Sequence, residues 1–177
     1  MNGPRRVARG RPSGRGAAGA DSPDSGIRRA AADDEATVVA LTAAAYAPYV
    51  AVLGGPPLPV TEAYGPRIER GEVWLLHVRG EPAGVLVLEG HPDHALIYSV
   101  AVAPAHQGRG CGVRLLRLAE DLARVAGLGE IRLYTNARME RNLALYAACG
   151  YRETGRRPNP IRPGWVLVDM AKTLAIG

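Results

Sequence analysis

Lysine is nearly missing from this 177-residue chain: Lys172 stands alone. A Walker A loop must close on Gly-Lys-Ser/Thr, so that class of phosphate site is excluded. Cysteine is almost as scarce. Cys111 and Cys149 have neither paired spacing nor a histidine cluster beside them, so both are expected to be reduced thiols in a cytoplasmic protein. No unbroken apolar run reaches the roughly 18 residues of a membrane span, and the N-terminal stretch carries no apolar core of a secretory signal. A membrane span is therefore not expected, and Arg5-Arg6 does not read as an export signal.

What is present begins with charge. The formal net charge is +5, but residues 1–26 hold five arginines against two aspartates and supply most of it. The remainder is close to neutral, which makes nucleic acid an improbable partner. "MNGPRRVARGRPSGRGAAGADSPDSG" has almost nothing to bury and cannot offset its ordering entropy, so a disordered Gly/Arg/Pro-rich tail is expected over 1–26. Residues 27–177, apolar enough to build a sizeable core, are expected to form one domain.

From Ile27 the two periodicities alternate. "GIRRAAA" reads as a strand, and Asp33-Asp34 place negative charge on the first turn of a helix running to about Tyr46. "APYVAVLGGPPLPVTEAYG" is broken by Gly and Pro and reads as a loop with a short helix ending near Arg70. "VWLLHV", "AGVLVLE" and "ALIYSVAV" form a meander of three strands, the first two joined by Arg79-Gly80-Glu81-Pro82. Apolar residues from Val113 to Ala126 recur at helical spacing until Gly127 stops them, and "EIRLYTN" follows as a strand. Strand, helix, strand in so short a span is a right-handed crossover with parallel strands. A short helix through "RNLALYAACG", a strand from Tyr151, an Arg/Pro-rich loop and the strand "WVLVDMAK" complete an α+β domain.

"SVAVAPAHQGRGCGVRLLRLAE" places three glycines where a strand ends and a helix begins. Unpaired amides at a helix N-terminus, with glycines that let a ligand approach, make an anion site suited to phosphate. A Rossmann site is a poor fit: Gly108, Gly110 and Gly112 stand at the wrong intervals, and the next strand ends in Thr135-Asn136 rather than an acid.

"VAVAPAHQGRGCG" resembles the acetyl-CoA signature of the GNAT superfamily of N-acetyltransferases, Gln/Arg-x-x-Gly-x-Gly/Ala after an apolar strand, matched by Gln107, Gly110 and Gly112. "YTN...RNLALYAACGY" resembles the second half of the same fold. The resemblance spans residues 27–172 and implies a GNAT-like acyl-CoA N-acyltransferase fold: a mixed six- to seven-stranded sheet flanked by about four helices. It further implies acetyl-CoA as co-substrate and transfer of its acetyl group to a primary amine of a small molecule or peptide, by direct attack in a ternary complex. The alternative is a module that binds acyl-CoA without catalysis.

Roles follow from the resemblance residue by residue. Backbone groups of Val100, Ala101 and Val102 would pair with pantetheine, and amides from Gln107 through Gly108, Arg109, Gly110 and Cys111 to Gly112 would hold the pyrophosphate. Asn136 and Asn142 would reach the pantetheine or phosphate arm, and Tyr146 would protonate the departing thiolate. Many relatives carry a basic glutamate on the central strand, whereas this chain has Leu96 and Tyr98 there. Glu89, ending the preceding strand, is the replacement candidate. The neighbouring "HPDH" reads as a hydrophilic turn, and no metal is expected. The acceptor pocket is expected between the loop after the first helix and "RRPNPIRPG", with Tyr46, Tyr49, Tyr64 and Tyr98 as contacts and with Arg152, Arg156, Arg157 and Arg162 available to an acceptor carboxylate. A homodimer stays open.

Overall fold

The computed structural model describes residues 26–176. The expected tail, apart from Gly26, lies outside the described residues. Seven strands form one mixed sheet: β1 (Ile27–Arg29), β2 (Val73–Val78), β3 (Glu81–Gly90), β4 (Ala95–Val102), β5 (Glu130–Asn136), β6 (Arg152–Pro158) and β7 (Val166–Thr173), in the order β1-β2-β3-β4-β5-β7-β6. Four α-helices flank it: α1 (Glu35–Leu53), α2 (Tyr64–Glu69), α3 (Cys111–Val125) and α4 (Glu140–Ala148). Only β4 and β5 pair in parallel, as the crossover through α3 requires.

Alternation along the central strands divides the core in two. Leu76 and Leu86 face α3, whose Leu115, Leu116, Ala119 and Ala123 recur at helical spacing. Leu75, Val85 and Val87 face the opposite way, toward Val38, Leu41 and Ala45 of α1. Each fully buried Leu or Val in these layers contributes roughly 1.5–3 kcal/mol. The β2–β3 hairpin is tighter than the four-residue connection expected: Arg79 (φ 54°) and Gly80 (φ 80°) make a two-residue turn, and Pro82 sits inside β3 next to the bulge at Ala83, opposite His77, whose N–H turns away to Gly26 O.

Two expectations need correction. Helix α1 does not stop at Tyr46 but passes through Pro48 to Leu53. Its extra turns are held by Leu53, which is buried, by Gly54 in the left-handed conformation that closes the helix, and by the Arg138 guanidinium, which donates to Val52 O at 3.2 Å. So lengthened, the helical segment Ala32–Leu53 is long and apolar enough by composition to cross a membrane, where no such segment is expected from the sequence. In this fold it is a core helix, with Val38, Leu41, Ala45 and Tyr46 packed on the sheet.

Candidate functional site

The site is built on a gap in the sheet. The β4–β5 ladder holds only three residue pairs, Ala95–Ile97 against Ile131–Leu133, although β4 continues to Val102 and β5 to Asn136. The strands part at Tyr98, where β4 also bulges: Val87 pairs with Ser99 and Leu88 with Ile97, so Tyr98 has no β3 partner. Both Tyr98 and Ser99 consequently lie on the α1 side, Tyr98 packed against that core and Ser99 Oγ 3.2 Å from the Tyr46 hydroxyl. Beyond the bulge, alternate residues of β4 turn their N–H and C=O away from β3, into the gap.

At the end of β4 the chain makes a 3-10 turn (Pro104–His106) and then the glycine loop. Gly108 (φ 70°) and Gly110 (φ 78°) are left-handed, and a Cβ on either would meet nothing within 4 Å. Conformation, not crowding, calls for glycine at these two positions. Gly112 differs: it lies within α3, and a Cβ there would come 3.3 Å from Leu145 Cδ2 of α4. Arg114 N–H donates to Gly110 O at 3.0 Å, and the N-cap Gly110 has no side chain to offer. The amides of Cys111, Gly112 and Val113 thus lack helical acceptors and, with the helix dipole, present positive potential to the loop. Gln107 has a second job: its Nε2 donates to Val102 O at 3.0 Å, tying the loop to the strand.

One cavity of about 480 Å³ gathers most of the expected residues. Val100, Ala101 and Val102 form its floor, Gln107, Gly108, Gly110, Cys111 and Gly112 one wall, and Asn142 and Tyr146 of α4 the other. Tyr46 and Tyr49 of α1 also line it, beside the glycine loop. Tyr49 donates to Asn142 Oδ1 at 3.2 Å, which bridges α1 and α4. Asn142 and Tyr146 stand one helical turn apart and share a face. Burial, aided by Tyr46 and Tyr49, pushes the Tyr146 phenol well above its ordinary range, so it stays protonated. Burial likewise raises Tyr46, to about 12, despite the Ser99 hydrogen bond. The sequence reading missed His106, Arg141 and Leu145 in this cavity. Arg141 was recoverable as the neighbour of Asn142, whereas nothing in "PAHQ" marks His106, whose Nδ1 is buried without a hydrogen-bond partner among the described residues.

Other expected residues lie elsewhere. Arg109 is exposed and Tyr64 is fully buried, its hydroxyl donating to Pro59 O at 2.8 Å. Tyr98 and Asn136 line a second, narrower cavity of about 70 Å³, between the α1–α2 loop and the β6–β7 loop. Arg162 clasps those loops together by donating to Pro56 O at 2.7 Å. Arg156 pairs with Glu153 and Arg157 with Asp169. Glu89 lines neither of these cavities. Its Oε1 accepts from Arg67 at 2.8 Å, and the same guanidinium holds Glu62 and Glu72 and lies 3.9 Å from the Tyr98 ring centroid. Tyr98 donates in turn to Glu62 Oε2 at 2.6 Å. Burial raises the Glu62 carboxyl, but Tyr98 and Arg67 together carry it below the ordinary value. In the "HPDH" turn His91 stacks on His94 at 4.6 Å and Asp93 pairs with His94. Among the described residues no group of three or more His, Cys, Asp or Glu is placed to hold a metal ion.

Comparison with known proteins agrees with this geometry. The model of the acetyltransferase (GNAT) family matches residues 40–151. An uncharacterized protein of Mycobacterium leprae is 40% identical over 78 residues, 43% of this chain and 21% of that protein. The uncharacterized N-acetyltransferase YvbK of Bacillus subtilis is 31% identical over 102 residues, 57% of this chain and 64% of that one. The chain thus spans less than two thirds of the length of these curated relatives. Among solved structures, the PaiA N-acetyltransferase of Thermoplasma acidophilum, in complex with coenzyme A, superposes with a TM-score of 0.72 at 16% identity, covering 84% of this chain and 98% of that one. With the family pattern matched over more than half its length, on the fold that pattern demands, the chain belongs to the acetyltransferase (GNAT) family.

Proposed function

We propose that this chain moves the acetyl group of acetyl-CoA to the primary amine of a small molecule or peptide, by direct attack within a ternary complex. The observation that carries the reading is the cavity at the strand gap, where the free edge of β4, the amides opening α3, Asn142 and Tyr146 converge. The residues present fit acetyl-CoA: donors without acceptors suit its pyrophosphate, and strand-like backbone groups suit the amides of its pantetheine arm. Acetyl-CoA would supply the activated acyl thioester. The outward backbone groups of Val100 orient the arm, Ala101 lines the cavity beside it, Gln107 fixes the loop against Val102, and the amides of Cys111, Gly112 and Val113 hold the phosphates. Asn142, steadied by Tyr49, positions Tyr146, whose neutral hydroxyl donates a proton to the sulfur as the thiolate departs.

For the base, Glu89 is the carboxylate suggested by the sequence, and Glu62 is the one joined to Tyr98, beside the second cavity. Glu62→Gln and Glu89→Gln decide between them: the variant of the true base loses the acidic limb of the kcat/KM profile. Release of free thiol from acetyl-CoA in the presence of a panel of amines tests the reading as a whole. Amine-dependent release supports it, while tight acetyl-CoA binding with no release for any amine would favour a binding module.

A further inference from the structure

We infer that the second cavity selects its acceptor by class: a monoamine carrying a hydrogen-bond-accepting carbonyl and an apolar body, the chemistry shared by hydrophobic amino acids and peptide N-termini. This rests on the transferase reading above. The first observation is Asn136, 6% exposed at the end of β5. Its Oδ1 accepts the Arg138 N–H at 2.9 Å, which fixes the carboxamide, and its Nδ2 is left buried with no partner among the described residues. A buried donor held in this way is a standing demand for an acceptor atom. Asn136 lines the cavity, so a ligand carbonyl that reaches this donor comes to it from that cavity.

The walls supply the second observation. Leu53, Leu58, Met139 and Trp165 make them largely apolar, and no carboxylate lines them. A polyamine or aminoglycoside would bring several ammonium groups, and Glu62, which reaches the lining through Tyr98, is already paired with Arg67. The charge that is present has the opposite sign: Arg162, anchored on Pro56 O and set 5.2 Å from the Trp165 ring centroid, favours an oxygen-rich end. Tyr98 marks where this cavity meets the strand gap, since Val100, two residues along β4, already belongs to the larger cavity. An amine passing between them reaches the acyl group from the side away from the glycine loop.

Thiol release by the full chain tests this with leucinamide, free leucine, a Leu-Gly-Gly peptide, isoamylamine (the same apolar body without the carbonyl), spermidine and kanamycin. The expected order places leucinamide or the peptide about tenfold or more above isoamylamine in kcat/KM, the worth of one satisfied buried donor, with the polycations slower still. The ratio of peptide to free leucine separates the two sources of the chemistry. Asn136→Asp keeps the oxygen that Arg138 uses and removes the donor. It should raise KM for leucinamide about tenfold while the thermal shift caused by acetyl-CoA is unchanged, which also shows that the variant folds. Leu58→Glu, supplying the missing carboxylate, should raise spermidine turnover relative to leucinamide. Spermidine or isoamylamine matching leucinamide in the parent would overturn the inference, as would an Asn136→Asp variant impaired only in acetyl-CoA binding. Acetyl-CoA binding without turnover of any amine would instead remove the transferase reading beneath it.

Discussion

Replacing Tyr146 with phenylalanine takes one oxygen from a ring that is 7% exposed and leaves its packing in place, including the edge contact with Tyr151 at 6.2 Å between centroids. The hydroxyl has no hydrogen-bond partner among the described residues, so its removal orphans no protein group. Stability should therefore stay within about 0.5 kcal/mol of the parent. The phenol is raised by burial and remains protonated throughout the working pH range, which suits it to giving a proton rather than taking one. If it gives that proton to the leaving thiolate, its loss should cost about 10²–10⁴ in kcat, equivalent to about 3–5 kcal/mol of barrier. In the proposed binding mode acetyl-CoA is held by the loop amides and the strand edge, so its Kd should move by no more than a few-fold. Three measurements on the same preparation suffice: kcat by thiol release on the acceptor, Kd by calorimetry and Tm by differential scanning. Turnover within twofold of the parent would refute the argument and reduce Tyr146 to packing.

The glycines should separate by mechanism. Gly110→Ala forces an L residue to φ 78° and should cost roughly 1–2 kcal/mol in urea unfolding, whereas Gly112→Ala gains helix propensity against one 3.3 Å contact with a leucine methyl and should stay near the parent. Asp34 is held at about 2, below its ordinary 3.8, chiefly by its hydrogen bonds from Arg28, so it stabilises the fold above its unfolded value and loses that contribution as pH falls. The Tm gap between the parent and Asp34→Asn should be full near neutrality and close between about pH 4 and about pH 2. Arg67→Met removes the cation shared by Glu62, Glu72 and Glu89 and should cost about 3–5 kcal/mol at neutral pH by denaturant unfolding. That deficit should shrink in acid, because the stranded carboxylates then take up protons.

The order of elements was readable because each strand and helix carries its own period. "VWLLHV" and "ALIYSVAV" announce strands, and the apolar stripe from Val113 announces α3 with little need of context. Helix α1 was cut short because Pro48 is a local breaker, while the contacts that carry the helix past it, Leu53 in the core and Arg138 on Val52 O, come from distant sequence. The bulge at Tyr98 left no trace for a related reason. Beta4 is apolar on both faces, so a shift of parity does not disturb its pattern of hydrophobicity. Glycine loop residues were legible as a set, but not that two of them serve backbone conformation and the third serves packing on Leu145. The partner of Glu89 was out of reach, since Arg67 lies 22 residues away and meets it only once α2 is laid beside the sheet.

The three residue pairs between β4 and β5 act as a short seam between two plates, β1 to β4 on one side and β5, β7 and β6 on the other. A seam so short leaves the outward amides of β4 beyond Tyr98 without strand partners, and such amides exchange their hydrogens with water freely. An extended ligand laid along that edge adds rungs where the protein's own ladder stops. Its arrival would be written first in slowed exchange at Val100 and Val102, and in a stiffer coupling of the two plates, before any atom of an acceptor is touched.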